Sequence, residues 1–186
     1  MSSAAFGVTQ LERFTSKNGN LWKARGLQAR MNTMKTDRTP FQILVLPFRA
    51  GTSGTFEYAI LKRSDHDYWQ GIAGGGEGEE SPLEAAKRES LEEANIPVQS
   101  TFLELDSFAT VPACHFPAGS SWPPETYVIP EYTFGVDTRG AELRFSQEHS
   151  ELKWCPYEQA SRLLKWDSNK NALWELNERL NHHKKL

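Results

Sequence analysis

The chain has 186 residues and a net charge of -3, so it is long enough for one domain with a full hydrophobic core. That charge gives no reason to expect binding to a nucleic acid polymer or to a membrane surface. Its two cysteines, Cys114 and Cys155, make neither a disulfide framework nor a zinc site, and without a long apolar run or a signal peptide we expect a cytoplasmic protein.

The first third of the chain predicts a leader followed by a β-hairpin. Residues 1–37 are polar and weakly periodic, and we expect them to form an N-terminal leader before one domain at 38–186. The apolar run at 41–48 predicts a buried strand. A turn rich in Gly, Ser and Thr at 50–55 separates it from a second predicted strand at 57–62.

A glycine-rich turn that begins at Gly74 leads into a predicted helix. Ser81 is a suitable N-cap, a proline follows it at the first helical position, and Glu84 completes a capping box. Asn95 tolerates the left-handed conformation that often ends a helix, and Pro97 prevents its continuation. The sequence therefore predicts a helix between the serine and the asparagine.

This helix carries a cluster of acids along one edge. Glu89 and Glu93 are i,i+4 neighbours, Glu92 lies beside them, and Arg88 could hold Glu92 or another carboxylate in place. Clustered carboxylates raise one another's pKa and are costly unless a cation lies among them. Mg²⁺ prefers such hard oxygen ligands and is often shared with substrate phosphates. The alternative is a charged helix face in contact with water.

The remainder of the chain predicts short strands and then helices. These elements are strands at 101–111, 125–137 and 150–155, and helices at 156–165 and 169–181. Strands on both sides of a helix, with helices at the end, indicate an α/β fold with a mixed β-sheet between helical layers.

The proline-rich loop at 112–125 is a candidate binding element, since long ordered loops often bind ligands. If it borders a pocket, Phe116 or Trp122 could stack on a flat base or pterin ring. The alternative is a surface connection with incidental aromatic residues.

The helix and its turn together resemble the Nudix box, G-x5-E-x7-R-E-U-x-E-E-x-G-U. The matching positions are Gly74, Glu80, Arg88, Glu89, Glu92, Glu93 and Ile96. Ser90 stands where an aliphatic residue is usual and Asn95 where glycine is usual, and neither change removes a ligand. Segments at 61–70, 145–154 and 166–172 resemble the dihydroneopterin triphosphate pyrophosphatase branch, whose motifs are shared by relatives described as dATP pyrophosphohydrolases. The resemblance covers roughly residues 38–178.

The resemblance implies a Nudix-type α/β/α sandwich and a set of catalytic and metal-binding residues. The candidate catalytic residues are Glu80, Arg88, Glu89, Glu92, Glu93 and Glu148. Glu89 and Glu93 would be the principal Mg²⁺ ligands, with Mn²⁺ able to substitute, and Glu92, Glu148 and the Gly74 carbonyl would be further ligands. The alternatives are that Glu80 is a structural partner of Arg88 and that Glu148 is a surface acid.

The implied reaction is hydrolysis of a diphosphate linkage in a small phosphate-containing substrate, with release of pyrophosphate. The expected substrate-binding residues are Arg38, Lys62, Arg63, Ala73, Phe116 and Trp122. Each basic residue could instead be a solvated charge at a strand end. A broader nucleotide or sugar-nucleotide pyrophosphatase, or a non-catalytic nucleotide sensor, remains an alternative. The sequence indicates no oligomeric state.

Overall fold

The computed structural model describes residues 38–51 and 54–182, so the expected leader at 1–37 lies outside the described residues. The strands are β1 (Arg38–Ala50), β2 (Phe56–Arg63), β3 (Trp69–Gln70), β4 (Ile72–Glu77), β5 (Phe102–Pro112), β6 (Val128–Asp137) and β7 (His149–Pro156). The α-helices are α1 (Pro82–Ala94), α2 (Tyr157–Leu163) and α3 (Asp167–His182). Two short 3-10 helices, Ala113–His115 and Pro117–Ser121, form part of the proline-rich loop.

Strand β1 organises the sheet because three strands pair with it. Strand β6 runs parallel to β1, whereas β4 and β2 pair antiparallel with successive parts of β1. Strand β5 extends the sheet beyond β6, while β3 and β7 both pair with β2. The predicted hairpin forms only at its closed end, from Phe48 to Ala50, since β4 takes the remaining pairing positions along β1. One parallel pair among antiparallel pairs makes the sheet mixed, as predicted.

Alternate residues of β1 pack against helices on opposite faces of the sheet. Ile43 and Val45 join the cluster that contains the alanines of α1. Leu44 and Leu46 join the cluster that contains Ala160 of α2 and the leucines of α3. Helices therefore cover both faces, and the predicted α/β/α sandwich is confirmed.

Helix α3 is fixed to β5 through the carboxylate of Glu175. The pairing of β5 with β6 is irregular between Glu104 and Phe108, which leaves backbone N–H groups free of the ladder. Glu175 accepts hydrogen bonds from the backbone N–H groups of Asp106 (2.7 Å) and Ser107 (2.6 Å), and from the Ser107 hydroxyl (2.5 Å). This contact positions the helix whose first turn borders the candidate site.

No helix in the described part of the chain is both long and apolar enough to cross a membrane. The two cysteines are free, as expected, with Cys114 exposed and Cys155 buried.

Candidate active site

Helix α1 begins and ends where its sequence predicts. The Ser81 hydroxyl accepts a hydrogen bond from the Glu84 N–H, and the Glu84 carboxylate accepts one from the Ser81 N–H. Asn95 has a φ of 56°, the left-handed conformation expected of it. Ser90 is buried on the core side of the helix. The two departures from the box pattern are therefore explained by the structure, since Ser90 lies in the core and Asn95 ends the helix.

The glycines before the helix make room for charged side chains. They lie in strand β4, where the sequence suggested a turn, and the turn itself lies at Gly78 with a φ of 56°. A Cβ at Gly74 would overlap the carboxyl group of Glu89, and a Cβ at Gly75 would overlap the guanidinium of Arg38. Glycine is required here for close approach, and this approach brings α1 and β1 side chains together over β4.

Arg88 connects three acids of the box to the strand. Its guanidinium makes a bidentate contact with Glu80 at 2.9 and 3.0 Å, the structural partnership considered as an alternative. It also contacts Glu89 at 2.9 Å and Glu92 at 3.2 Å, and it donates to the carbonyl of Gly75 at 2.7 Å. A planar fork of donors of this kind fixes carboxylates more rigidly than a lysine could.

The helix acids differ in burial. The side chains of Glu89 and Glu93 are 14% and 5% exposed, whereas that of Glu92 is 58% exposed. Burial raises the pKa of Glu89 to about 7, against the opposing effect of Arg88. Burial also raises the pKa of Glu93, against the opposing effect of His149. Both carboxylates are therefore held where an added positive charge would stabilise their ionised forms.

His149 is a buried contact of Glu93. Its Nε2 lies 2.8 Å from the Glu93 carboxylate, and its buried Nδ1 has no hydrogen-bond partner among the residues that the structure describes. Strand β7 brings this histidine to α1 from a distant part of the sequence. The only signal of it in the sequence is its position directly after Glu148.

Glu148 and the two basic residues of β2 form ion pairs near the end of that strand. Arg63 contacts Glu148 at 3.0 Å and Asp65 at 2.7 Å, and Lys62 contacts Asp67 at 2.6 Å. The backbone joins the same two segments, since Ser64 N–H donates to the Glu148 carbonyl. Two of the predicted substrate-binding cations, Lys62 and Arg63, are thus in contact with carboxylates of the chain itself.

The acids fit a hard divalent cation by chemical type. Glu89, Glu92, Glu93 and Glu148 supply carboxylate oxygens, the donors that Mg²⁺ prefers. Within the described residues, however, no three acidic, histidine or cysteine side chains converge closely enough to hold a metal ion. Arg88 instead forms ion pairs with two of the helix acids, and His149 contacts a third.

A cavity of about 560 Å³ lies between the sheet and the first turn of α3. Its lining includes four aromatic rings, those of Tyr68, His115, Phe116 and Trp166. It also includes Ala73 and polar side chains from the strands and from the first turn of α3, among them Gln42, Gln70, Glu131 and Asp167. A volume of this size and a lining of this kind suit a small ligand with a flat ring.

Arg38 joins the cavity to the helix acids. Its guanidinium donates to Gln42 Oε1 at 2.5 Å and lies over the Phe116 ring at 4.8 Å, while the negative charge of Glu89 also acts on it. Trp122 supports this arrangement because its indole N–H donates to the Arg38 carbonyl at 2.7 Å. Of the two aromatic residues predicted to stack on a ring, Phe116 lines the cavity, whereas Trp122 is buried in a small cluster beside it.

Sequence reasoning missed Glu131, which is buried in the wall of this cavity. The available signal is an acid in the interior of a strand, Val128–Asp137, that is mostly buried. Among the described residues one of the Glu131 carboxylate oxygens has no hydrogen-bond partner, and a buried acid of this kind is a candidate for function.

Comparison with known proteins identifies the domain. The model of the family described as NUDIX domain matches residues 43–175. A search of curated protein sequences finds no match.

Solved structures have the same fold. A protein from Listeria monocytogenes assigned as a Nudix hydrolase is 49% identical, with a TM-score of 0.70 over 78% of this chain and 97% of that one. The E. coli dihydroneopterin triphosphate pyrophosphohydrolase is 26% identical, with a TM-score of 0.63 over 78% of this chain and 99% of that one. A C. elegans Ap4A hydrolase is 20% identical, with a TM-score of 0.60 over 77% and 99%, and shows the fold alone.

Proposed function

This chain belongs to the Nudix family, and on that premise we propose that it hydrolyses the diphosphate linkage of a nucleoside triphosphate or a related compound such as dihydroneopterin triphosphate, releasing pyrophosphate. The family match and the relatives confirm the predicted enzyme class, a Nudix pyrophosphohydrolase. The observation that carries the proposal is the connection, through Arg38, of a ring-sized cavity to Glu89, a buried carboxylate on α1. A ring and a polyphosphate chain joined to each other need such a pair of adjacent sites.

We propose Mg²⁺ as the cofactor, with Mn²⁺ able to substitute. Glu89 and Glu93 would hold it, with Glu92, Glu148 and the Gly74 carbonyl as further ligands. A bound divalent ion would neutralise phosphate oxygens and lower the pKa of an attacking water. The hard oxygen donors present in the site support this assignment.

The contacts made by Arg88 and His149 keep the acids of α1 in position. Arg88 holds Glu89 against β4 and leaves Glu92 exposed at the edge of the helix. His149 limits the movement of the Glu93 carboxylate through its 2.8 Å contact. These contacts reduce the reorganisation needed when substrate binds, which is a general source of catalytic power.

The substrate would lie with its ring in the cavity and its phosphates toward α1. Phe116 would contact the ring, with Trp122 holding the loop, and Ala73 leaves space beside Gly74 in β4. Arg38 would contact the phosphate chain because it lies between the cavity and Glu89. Lys62 and Arg63 could contribute by exchanging their carboxylate partners for phosphate oxygens.

The E. coli relative supports the choice of substrate class, since it is a dihydroneopterin triphosphate pyrophosphohydrolase and the match spans nearly its whole length. The proposed substrate class follows this relative, which is 26% identical, and the ring of the substrate is left to the assay below. The broader alternative, a nucleotide or sugar-nucleotide pyrophosphatase, shares the same bond chemistry.

A pyrophosphate-release assay tests the proposal. The substrates are dihydroneopterin triphosphate, dATP, other nucleoside triphosphates, ADP-ribose and sugar nucleotides, each with Mg²⁺ and with EDTA. Release of pyrophosphate from a triphosphate, lost in EDTA and restored by Mg²⁺, supports it. Cleavage of ADP-ribose or sugar nucleotides alone favours the broader alternative. Ligand binding without any hydrolysis would identify a sensor and refute the proposed reaction.

Three other sequence-based expectations remain predictions. We propose a single catalytic domain over 38–186, a cytoplasmic location, and no nucleic acid polymer or membrane as partner. A truncated protein that begins at residue 38 and retains full activity would support the first, and cell fractionation would test the second. Light scattering would provide the oligomeric state.

A further inference from the structure

Glu131 is a buried acid with an unsatisfied oxygen beside the substrate cavity. It lies on β6, its residue is 7% exposed, and it lines the cavity. Among the described residues its Oε1 has no hydrogen-bond partner, while the Ser168 side chain at the start of α3 acts on the carboxylate and lowers its pKa. The terminal side-chain torsion angle of glutamate has a broad distribution, so a small rotation of the carboxylate can turn either oxygen toward the cavity.

The surroundings of Glu131 lack a compensating charge. Among the described residues that line the cavity there is neither a lysine nor an arginine. Burial raises the pKa of Glu131, and the contact with Ser168 offsets this only in part. A buried, unpaired acceptor is costly, and a ligand that brings hydrogen-bond donors to it is stabilised accordingly.

The shape of the cavity restricts which donors can reach this carboxylate. Tyr68, Phe116 and Trp166 provide aromatic surface for a flat ring. Adjacent N–H donors on the edge of such a ring fit the two oxygens of one carboxylate. The 2-amino-4-oxo edge of a pterin, which guanine shares as the 2-amino-6-oxo edge of its purine ring, has a ring N–H next to an amino group. Adenine instead has a bare ring nitrogen next to its amino group, and this nitrogen would face a carboxylate oxygen.

We propose that Glu131 binds the substrate ring through two adjacent N–H donors, so that the cavity selects the 2-amino-4-oxo edge shared by pterin and guanine. This inference rests on the proposed function, since it concerns the ring of the same substrate. It makes Glu131 a specificity-determining residue.

The first test compares dGTP with dITP on the wild-type protein. The two nucleotides differ only by the 2-amino group, so the comparison requires no variant. We expect dGTP to have the higher kcat/KM by roughly 10- to 100-fold, the range for a hydrogen bond to a charged group. Equal values for the two nucleotides would overturn the inference. Dihydroneopterin triphosphate, measured beside dGTP, distinguishes a pterin from a guanine source.

The second test uses Glu131→Gln. The amide offers one donor and one acceptor, which complement adenine better than the 2-amino-4-oxo edge. We expect the preference for dGTP over dITP to disappear and the ratio of dATP to dGTP activity to rise by at least 10-fold. Glu104→Gln, an exposed acid on neighbouring β5, is the matched control and should leave both ratios unchanged. If thermal melting shows that the Glu131→Gln enzyme is folded, and it keeps the wild-type dGTP/dITP and dATP/dGTP activity ratios, the role of Glu131 in selecting the ring is refuted.

Calorimetric binding in EDTA separates the ring preference from the reaction. Tighter binding of dGTP than of dITP, lost in Glu131→Gln, supports the inference even if the enzyme releases no pyrophosphate in Mg²⁺. In that case only the proposed function fails. Hydrolysis with no difference between the two nucleotides in either assay overturns the inference and leaves the proposed function intact.

Discussion

Gly74→Ala tests the close approach of β4 to α1. The new Cβ would overlap the Glu89 carboxyl group, and no other side chain is among its nearest contacts. Because Glu89 is the flexible part of this contact, its carboxylate would move by roughly 1 Å or more, and a displacement of that size in an active site costs about 100-fold in rate. We therefore expect kcat/KM to fall by about that factor. The stability should change little, since alanine in an extended conformation also restricts the unfolded chain.

The assay is pyrophosphate release with Mg²⁺, and thermal melting is measured beside it. Gly78→Ala is the matched control, since an added Cβ would meet nothing within 4 Å in the described part of the chain, whereas the φ of 56° strains any residue other than glycine. It should lose about 1 kcal/mol of stability and keep its activity. A Gly74→Ala enzyme with nearly wild-type kcat/KM would show that the approach of Glu89 to β4 is unimportant for the reaction.

Three further predictions concern the acids and the loop. Glu93→Gln should reduce kcat by roughly 100- to 1,000-fold and leave the melting temperature similar, because it removes charge from the site; a near-wild-type rate would reject its assignment. Burial raises the pKa of Glu175, but hydrogen bonds from Ser107 and the backbone outweigh it, so the folded-state pKa is below the ordinary value. The contact of ionised Glu175 with β5 therefore stabilises the fold at pH values above the ordinary glutamate pKa. This stabilisation is lost as the pH falls through the folded-state pKa. Glu175→Gln should cost about 2 kcal/mol in denaturant unfolding at pH 7 and much less near pH 3; an equal cost at both would contradict this. Alanine at Phe116 and Trp122 should raise KM, and an unchanged KM would exclude ring contact by the loop.

Local sequence signals predicted the elements around the site well. The capping box and the left-handed asparagine place both ends of α1, since these signals act within a few residues. These signals predicted the strands less well where strand pairing joins distant parts of the chain. The sequence predicts a turn where β4 begins its glycine run, because glycine has low strand propensity, and the pairing of β4 with β1 compensates for that. For the same reason the hairpin between β1 and β2 is shorter than predicted.

By itself the sequence determined the helix that carries Glu89, Glu92 and Glu93, the apolar run that forms the buried strand β1, and the family. These features depend on spacing along one element, which periodicity and end signals report directly. Only the tertiary structure brought His149 to Glu93 and placed Glu131 in the wall of the cavity. The members of the first pair are 56 positions apart in the chain, and the cavity is built from five strands, loops and the start of a helix. Strand order and the packing of the layers decide which distant residues become neighbours, and no single segment of the sequence contains that information.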